Sequence, residues 1–352
     1  MDHAGATLPT QSQIDSFYQL LKTHILPNPH STHGSDDVLQ VRLQVLKFLN
    51  ASPDEYSVVF TSGASSSLRI IGENYKWSHQ SVFAYTLQNH ASVVGIREYP
   101  LEKGAKVEVV MPNFLIEEIE SRHTHQQHQQ QDNSIFNLFA FPGECNFSGQ
   151  KFDLDIINVI KGNKLRNEKK SQMVSQFETF MGSHQSVGKW KVLLDAAKFA
   201  GTNELDLSKY PADFVTLSFY KICGFPTGLG ALIIRNDSME SLQKKYFGGG
   251  TLSAWSALSD FKIFRNQVSH IFEDGTIPFH SVFALKYGLE LLQKVGMKII
   301  QEHVKSLTQS LYTQLLELKH WNNEKVCEIY GVKELGFFFF FFFFFFFFFF
   351  FF

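Results

Sequence analysis

The chain has 352 residues, a formal net charge of −2 and 44% hydrophobic residues. This length suffices for one large domain, or for a large domain and a smaller one. The nearly balanced charge has no basic stripe, so we predict neither nucleic acid nor a membrane surface as a partner. The three cysteines are too few for a disulfide framework, and the first twenty residues lack a secretory signal, which together favour the cytoplasm.

Sixteen consecutive phenylalanines, residues 337–352, stand at the end of the sequence and supply sixteen of its 38 phenylalanines. The run is shorter than the roughly 20 residues of a membrane-spanning helix, and it has no flanking anchors. A homopolymer of one rigid ring also lacks the varied shapes that a packed core needs. We therefore interpret the run as an artefact and exclude it from the predicted fold.

Short apolar runs alternate with amphipathic stretches, which is typical of an α/β domain. In chain order, the candidate strands are residues 57–60, 81–85, 135–141, 191–195, 214–218 and 230–235. Apolar residues at helical spacing predict helices over residues 36–49, 66–75, 281–295 and 298–318. We predict a large domain over residues 1–280 with a mostly parallel central sheet. Residues 281–336 would then form linking helices and the start of a smaller α+β domain.

Residues 121–133 (SRHTHQQHQQQDN) are rich in histidine and glutamine. Three histidines could in principle meet at a metal ion. A polar tract without apolar periodicity is more typical of a solvated loop, so we predict no metal site.

One lysine follows a predicted strand, and one aspartate ends another. Lys221 comes after strand 214–218 and before the turn GFPTGLG, and Asp195 ends strand 191–195. Ligands of open α/β sheets bind outside the carboxyl ends of the strands, so both side chains are expected at one crevice. Alone, Lys221 is most simply a surface lysine, and a helix N-cap is the alternative for Asp195. Together they are the pair that pyridoxal 5'-phosphate (PLP) needs: an amine for the Schiff base and a carboxylate that keeps the pyridine nitrogen protonated.

Two further segments complete this candidate site. The stretch VVFTSGASSSLRIIG, from residue 58, predicts a strand, a tight turn and a helix. The free N–H groups of a helix start, with small hydroxyl side chains, form an anion site; here the junction contains Thr61, Ser62, Gly63 and Ala64. His90 lies in a polar turn after strand 81–85, where an imidazole can stack on a pyridine ring and assist proton transfer. Considered alone, such a histidine is more often structural.

These segments, in this order, resemble the class V aminotransferase group of fold-type-I PLP enzymes, which includes the cysteine desulfurases. The motifs are DHAGATLP (2–9), NPHS (28–31), FTSGAS (60–65), NHAS (89–92), DAA (195–197), SFYK (218–221), FGGGT (247–251) and FEDGT (272–276). Within the group, the sequence is most similar to the amino-terminal domain of the molybdenum cofactor sulfurases. That similarity rests on DHAGAT, CNFSG (145–149), SFYKICGFPTGLGAL (218–232) and YFGGGT (246–251).

The resemblance implies a role for each matching residue. Lys221 would be the Schiff-base lysine, Asp195 the partner of the pyridine nitrogen, and His90 the ring that stacks on the cofactor. The phosphate would be held by Thr61, Ser62, Gly63, Ala64, Ser218 and Tyr220, with Thr276 reaching it from the second subunit of a homodimer. Asn146 would lie near the ring and the substrate. Lys198 departs from the pattern, because desulfurases usually carry glutamine or histidine there, near the ring hydroxyl.

The resemblance also implies a reaction, in which sulfur is removed from L-cysteine, alanine is released, and an enzyme cysteine carries the persulfide. In the sulfurases the sulfur then passes to the molybdenum cofactor of xanthine dehydrogenase and aldehyde oxidase. We expect the persulfide cysteine and the molybdopterin-handling module to lie in carboxy-terminal parts that this sequence lacks, and Cys145, Cys223 and Cys327 to be structural. Another class V enzyme, such as a cysteine desulfurase or selenocysteine lyase, and a non-catalytic PLP-binding fragment remain alternatives.

Overall fold

The computed structural model describes residues 5–29, 32–111, 116–119, 134–167, 170–183 and 188–329. The strands are β1 (Tyr56–Thr61), β2 (Val82–Thr86), β3 (Lys106–Val110), β4 (Ile116–Ile119), β5 (Phe136–Pro142), β6 (Lys189–Asp195), β7 (Phe214–Ser218), β8 (Gly230–Arg235), β9 (Leu252–Trp255) and β10 (Lys262–Phe264). The α-helices are α1 (Gln11–Thr23), α2 (Thr32–Phe48), α3 (Ala64–Asn74), α4 (Ala91–Val94), α5 (Glu98–Glu102), α6 (Asp155–Lys161), α7 (Gln172–Ser183), α8 (Phe199–Thr202), α9 (Phe219–Cys223), α10 (Val268–Phe272), α11 (Phe279–Val295) and α12 (Met297–Glu317).

One eight-stranded sheet organises the fold, in the order β1-β8-β7-β6-β5-β2-β3-β4. Strands β3, β2, β5, β6 and β7 pair in parallel, whereas β8 is antiparallel to both of its neighbours. Strand β1 therefore runs in the same direction as β7. The predicted mostly parallel sheet is confirmed, and all six predicted strands are present within one or two residues.

Strands β3 and β4 at one edge of the sheet were missed. The sequence of β3, KVEVV, carries charges at its first and third positions, which weakens the apolar run that signals a strand. Glu108 is nevertheless fully buried and forms an ion pair with Lys106 at 2.9 Å. Strand β3 is defined by its pairing with β2 on one side and with the edge strand β4 on the other.

Two apolar layers cover the two faces of the sheet. Neighbouring residues of one strand point to opposite layers, as Leu138 and Phe139 of β5 do. One layer includes α2, α7 and α11, and the other includes α3. Because both faces are buried, the central strands are continuous apolar runs rather than alternating ones, which is why they were recognisable in the sequence.

The four predicted helices correspond to α2, α3, α11 and α12, with ends displaced by up to four residues. No residue of α12 is buried, whereas α11 contacts α1 and α2. The His/Gln-rich stretch 121–133 and the phenylalanine run 337–352 lie outside the described residues. Across the described ranges, no helix is both long enough and apolar enough to cross a membrane. Within the same ranges, no three or more His, Cys, Asp or Glu residues cluster as metal ligands would.

A buried polar cluster ties the amino-terminal edge of the sheet together around Asp213. Its carboxylate is fully buried and accepts hydrogen bonds from Lys161 Nζ at 2.7 Å and from the Val192 amide at 2.8 Å. Lys191 Nζ lies 3.7 Å away, and the hydroxyl of Ser238 donates to the same carboxylate. The cluster joins α6, β6 and the start of β7. Because buried charges must be paired, the fully buried carboxylate of Asp213 depends on its contacts with Lys161 and Lys191.

Candidate active site

A cavity of about 270 Å³ opens at the carboxyl edge of the sheet. Its wall is formed by residues at or just after the carboxyl ends of β1, β2, β5, β6 and β7. These five strands run in the same direction, so segments far apart in sequence converge at one crevice. The predicted site residues in the wall are Ser62, Gly63, Ala64, His90, Asn146, Asp195, Ser218, Tyr220 and Lys221.

Lys221 lies in the third position of the short helix α9, half-buried, with its side chain in the cavity wall. Among the described residues, its Nζ makes no hydrogen bond and no ion pair. A lysine amine that is not held by a carboxylate is available to react with a carbonyl group. Lys221 thus follows strand β7 within a short helix rather than in the turn itself, and its role remains a proposal.

Asp195 is nine-tenths buried at the end of β6. Its Oδ1 accepts hydrogen bonds from the Ala197 amide at 3.0 Å and from the Thr216 hydroxyl at 3.2 Å. The following helix α8 has Lys198, not Asp195, at its N-cap. The alternative of a plain helix cap therefore fails. The carboxylate is held in a fixed orientation at the cavity, as a partner for a protonated ring nitrogen must be.

The predicted anion site corresponds to the start of α3. Gly63 occupies its N-cap with a φ of 144°, a left-handed value that disfavours any other residue, and no side chain caps the helix. The first turn of this eleven-residue helix therefore presents its N–H groups to the cavity beside Ser62, Ser65 and Ser66. The helix start also meets β8 closely, since a Cβ on Gly230 would lie 2.6 Å from Gly63 Cα.

Thr61 and Thr276 lie outside the cavity wall. Thr61 is buried behind it, where its hydroxyl contacts the Gly63 carbonyl oxygen at 3.0 Å and the Ser67 hydroxyl at 2.9 Å. It shapes the turn rather than facing the cavity. Thr276 is exposed in the loop after α10, so a single chain does not bring it to the site.

His90 caps helix α4 from the edge of the cavity. Its Nδ1 lies 3.1 Å from both the Ser92 amide and the Ser92 hydroxyl and accepts from the amide, so the proton of a neutral ring sits on Nε2. The Ser92 hydroxyl in turn contacts that of Ser65 at 2.7 Å, which connects the histidine to the start of α3. Any proton transfer by this ring must therefore involve Nε2.

An ion pair in the wall was not expected from the sequence. Glu144 is 2% exposed, and its Oε1 lies 3.0 Å from Nζ of Lys198, which also donates to the Cys145 carbonyl oxygen at 3.1 Å. The cavity thus holds two lysines of different kinds, one paired and one not. Glu144 lies two residues after the end of β5, and the predicted site residues lie at similar distances from the ends of their own strands. The rule that ligands bind at the carboxyl ends of strands could therefore have identified Glu144 as well.

Of the cysteines among the described residues, Cys145 and Cys223 are buried and Cys327 is partly exposed. Burial raises the pKa of the Cys223 thiol to about 12, so almost none of it is thiolate near neutral pH. Cys145 is buried and accepts a hydrogen bond from the Ser148 amide, and Cys327 contacts the Leu315 carbonyl oxygen far from the cavity. The expected structural role of all three stays a prediction.

Sequence comparison places the chain in a known family. The family model "Aminotransferase class-V" matches residues 2–152 and 172–332. The chain is 42% identical over 353 residues to a molybdenum cofactor sulfurase of Solanum lycopersicum, covering 94% of this chain and 42% of that protein. It is 39% identical to the molybdenum cofactor sulfurase of Homo sapiens over 347 residues, covering 95% and 37%. The chain thus spans about two fifths of the length of these relatives.

Solved structures show the same fold. The cysteine desulfurase CsdA of Escherichia coli superposes with a TM-score of 0.67 at 18% identity, covering 91% of this chain and 74% of that one. The cystine C–S lyase C-DES, solved with its product cysteine persulfide, superposes with a TM-score of 0.66 at 17% identity, covering 90% and 78%. The expected fold of the PLP-dependent desulfurases is confirmed. The chain belongs to the class V aminotransferase family.

Proposed function

We propose that this chain is the PLP-binding part of a molybdenum cofactor sulfurase, which mobilises sulfur from L-cysteine, releases alanine and supplies the sulfur to the molybdenum cofactor of xanthine dehydrogenase and aldehyde oxidase. One observation carries the proposal: a single cavity joins the unpaired amine of Lys221, the oriented carboxylate of Asp195 and the uncapped start of α3. The relatives named above support the choice of substrate and acceptor.

The residues of the cavity fit PLP group by group. The N–H groups at the start of α3, with Ser62 and Ser218, would hold the phosphate. Lys221 would bind the aldehyde carbon, and Asp195 would keep the ring nitrogen protonated. His90 and Asn146 would line the ring and the substrate, with the histidine contributing Nε2, and Tyr220 would donate to the phosphate. When bound, PLP supplies an electron sink that weakens the bonds at the α-carbon of an amino acid.

The proposed overall reaction is balanced without an external oxidant. L-Cysteine and a thiol become alanine and a persulfide: the carbon–sulfur bond of cysteine breaks, a sulfur–sulfur bond forms, and the thiol proton ends on carbon. Lys221 would move a proton at the α-carbon, because an amine without a salt-bridge partner can both accept and return one. We propose a thiol from outside the described residues, because the pKa of Cys223 is high, Cys145 is buried and Cys327 does not line the cavity.

Alanine release from L-cysteine tests the function. The chain loaded with PLP should release alanine when a small thiol such as dithiothreitol is added, and very little without it. L-Selenocysteine in the same assay distinguishes a selenocysteine lyase, which would strongly prefer it. The absence of alanine under all conditions would contradict the proposed reaction.

A second candidate is a fragment that binds PLP without catalysis. The positions of the described cysteines favour it, since none is both exposed and close to the cavity. On this alternative, PLP binds, but added thiol does not support alanine release. The same assay therefore separates the two candidates.

We also propose a homodimer that brings Thr276 of one subunit to the cavity of the other. Large apolar side chains are exposed to water on the hairpin β9–β10 and on the segment that precedes it. They are Tyr246, Phe247, Trp255, Leu258, Phe261 and Ile263. Leu258 is 98% exposed at the tip. Contiguous exposed apolar groups of this kind are typical of protein interfaces. Two further expectations stay proposals. We propose that the protein is located in the cytoplasm, and that a smaller domain starts at residue 281.

The variant Leu258→Asp/Trp255→Asp should convert the dimer into a monomer, because two buried carboxylates would face apolar side chains. Sedimentation velocity measures the change. Trp321, which is 97% exposed outside the hairpin, provides the matched control, since Trp321→Asp should leave the dimer intact. A wild-type chain that sediments as a monomer at high micromolar concentration would contradict the proposal.

A further inference from the structure

The turn that carries Lys221 is held by residues near the amino terminus, more than 200 positions away in sequence. Helix α9 has five residues, too few to satisfy most of its carbonyl groups internally. The Thr7 amide donates to the Tyr220 carbonyl oxygen at 3.2 Å, and the Thr7 hydroxyl donates to the Lys221 carbonyl oxygen at 2.6 Å. Thr7 therefore contacts the backbone of the lysine itself.

Gln13 extends this attachment. It is 3% exposed, and its Nε2 donates to the Cys223 carbonyl oxygen at 3.0 Å and to that of Phe225 at 3.4 Å. Its Oε1 accepts from the Thr10 amide in a capping box, which fixes the side chain at the start of α1. Residues 7–13 thus donate to four carbonyl groups between Tyr220 and Phe225.

Steric contacts leave the turn little freedom to move. Gly224 has a φ of 78°, and a Cβ there would lie 2.5 Å from the backbone nitrogen of Pro9. On another side, a Cβ on Gly201 would lie 2.8 Å from the Lys221 carbonyl oxygen. The turn is enclosed between the amino-terminal segment and α8, so the hydrogen bonds from Thr7 act on a backbone that is already tightly packed.

We propose that Thr7 is a positioning residue for Lys221, which rests on the proposed function of that lysine. A lysine side chain has several rotatable bonds, so the place of its amine depends on where its backbone is anchored. Small displacements of a reacting group have large effects on reactivity. The Thr7 hydroxyl fixes the backbone carbonyl of the reacting residue and thereby directs the amine to the cavity.

A double-mutant cycle tests the proposal by calorimetric titration of the full chain with PLP. Thr7→Val keeps the shape but removes the hydroxyl, and it should weaken PLP binding roughly three- to tenfold, the usual effect of one hydrogen bond. Thr7→Ser should restore binding. In a Lys221→Ala background, Thr7→Val should have no effect, since the residue acts through the lysine. The control Thr179→Val removes a hydroxyl that bonds the Ser175 carbonyl oxygen in α7, and it should leave binding unchanged.

Equal losses in both backgrounds, or no loss in either, would overturn the proposal. Hydrogen exchange without PLP gives an independent readout: Thr7→Val should speed exchange of the Gly224 amide, which bonds the Tyr220 carbonyl oxygen, about fivefold or more. Unchanged exchange would also overturn it. If Lys221→Ala itself leaves PLP binding unaffected, the proposed function fails instead, and the exchange result then decides the role of Thr7 in holding the turn.

Discussion

Replacing Lys221 by alanine will abolish the covalent attachment of PLP. The wild-type chain should acquire a visible absorbance with PLP, and borohydride should fix the cofactor on the peptide that contains Lys221. In Lys221→Ala the absorbance should disappear and the affinity for PLP should fall at least about a hundredfold, or about 2.7 kcal/mol. Weak binding should persist, because the start of α3 and Asp195 are unchanged.

The second lysine of the cavity makes this experiment selective. Lys198 lies in the same wall, but its Nζ is 3.0 Å from the carboxylate of Glu144, whereas Lys221 has no such partner among the described residues. Mass spectrometry should therefore find the label on Lys221 and not on Lys198. Lys286→Ala, at an exposed position of α11, should bind PLP normally. A label on Lys198, or a colourless wild-type chain, would show that the site has been assigned wrongly.

Asp213→Asn should destabilise the protein by about 3–5 kcal/mol, the range measured when one partner of a buried ion pair is removed. The amide would place N–H groups toward the ammonium groups of Lys161 and Lys191, and Lys191 is itself only 7% exposed. Glu240 would still lie 3.3 Å from Lys191 and partly neutralise it. The loss of stabilisation would therefore be larger for Lys161 than for Lys191. Urea denaturation followed by fluorescence measures the change.

The neighbouring Asp237 provides the control. Its side chain is 59% exposed, and it forms an ion pair with Arg235 at 3.3 Å. Because exposed pairs are screened by water, Asp237→Asn should cost less than about 1 kcal/mol. If Asp213→Asn lowered the free energy of unfolding as little as Asp237→Asn does, the cluster around Asp213 would not stabilise the fold. Either variant should keep its PLP affinity once folded, since the cluster lies at the edge of the sheet opposite the cavity.

Much of the candidate site could be predicted because its residues stand at the ends of strands that are themselves recognisable. Asp195 ends an apolar run, and Gly63 separates a strand from a helix. Once a parallel sheet is expected, the rule about carboxyl ends places such residues at one crevice without further information. The pairing of Glu144 with Lys198 had no local signal, although the position of Glu144 after β5 did. Glu144 and Lys198 are 54 positions apart, and nothing in either segment indicates that the two side chains form a pair.

The sequence by itself determined the α/β class, six strands of the main sheet, the order of the site motifs and their resemblance to class V enzymes, because apolar periodicity and motif spacing are local properties. The tertiary structure alone decided the strand order, the contact of Thr7 with the backbone of Lys221 and the burial of Asp213 between two lysines. These features join segments separated by up to 214 positions, and they depend on how helices and strands pack rather than on any one stretch of chain.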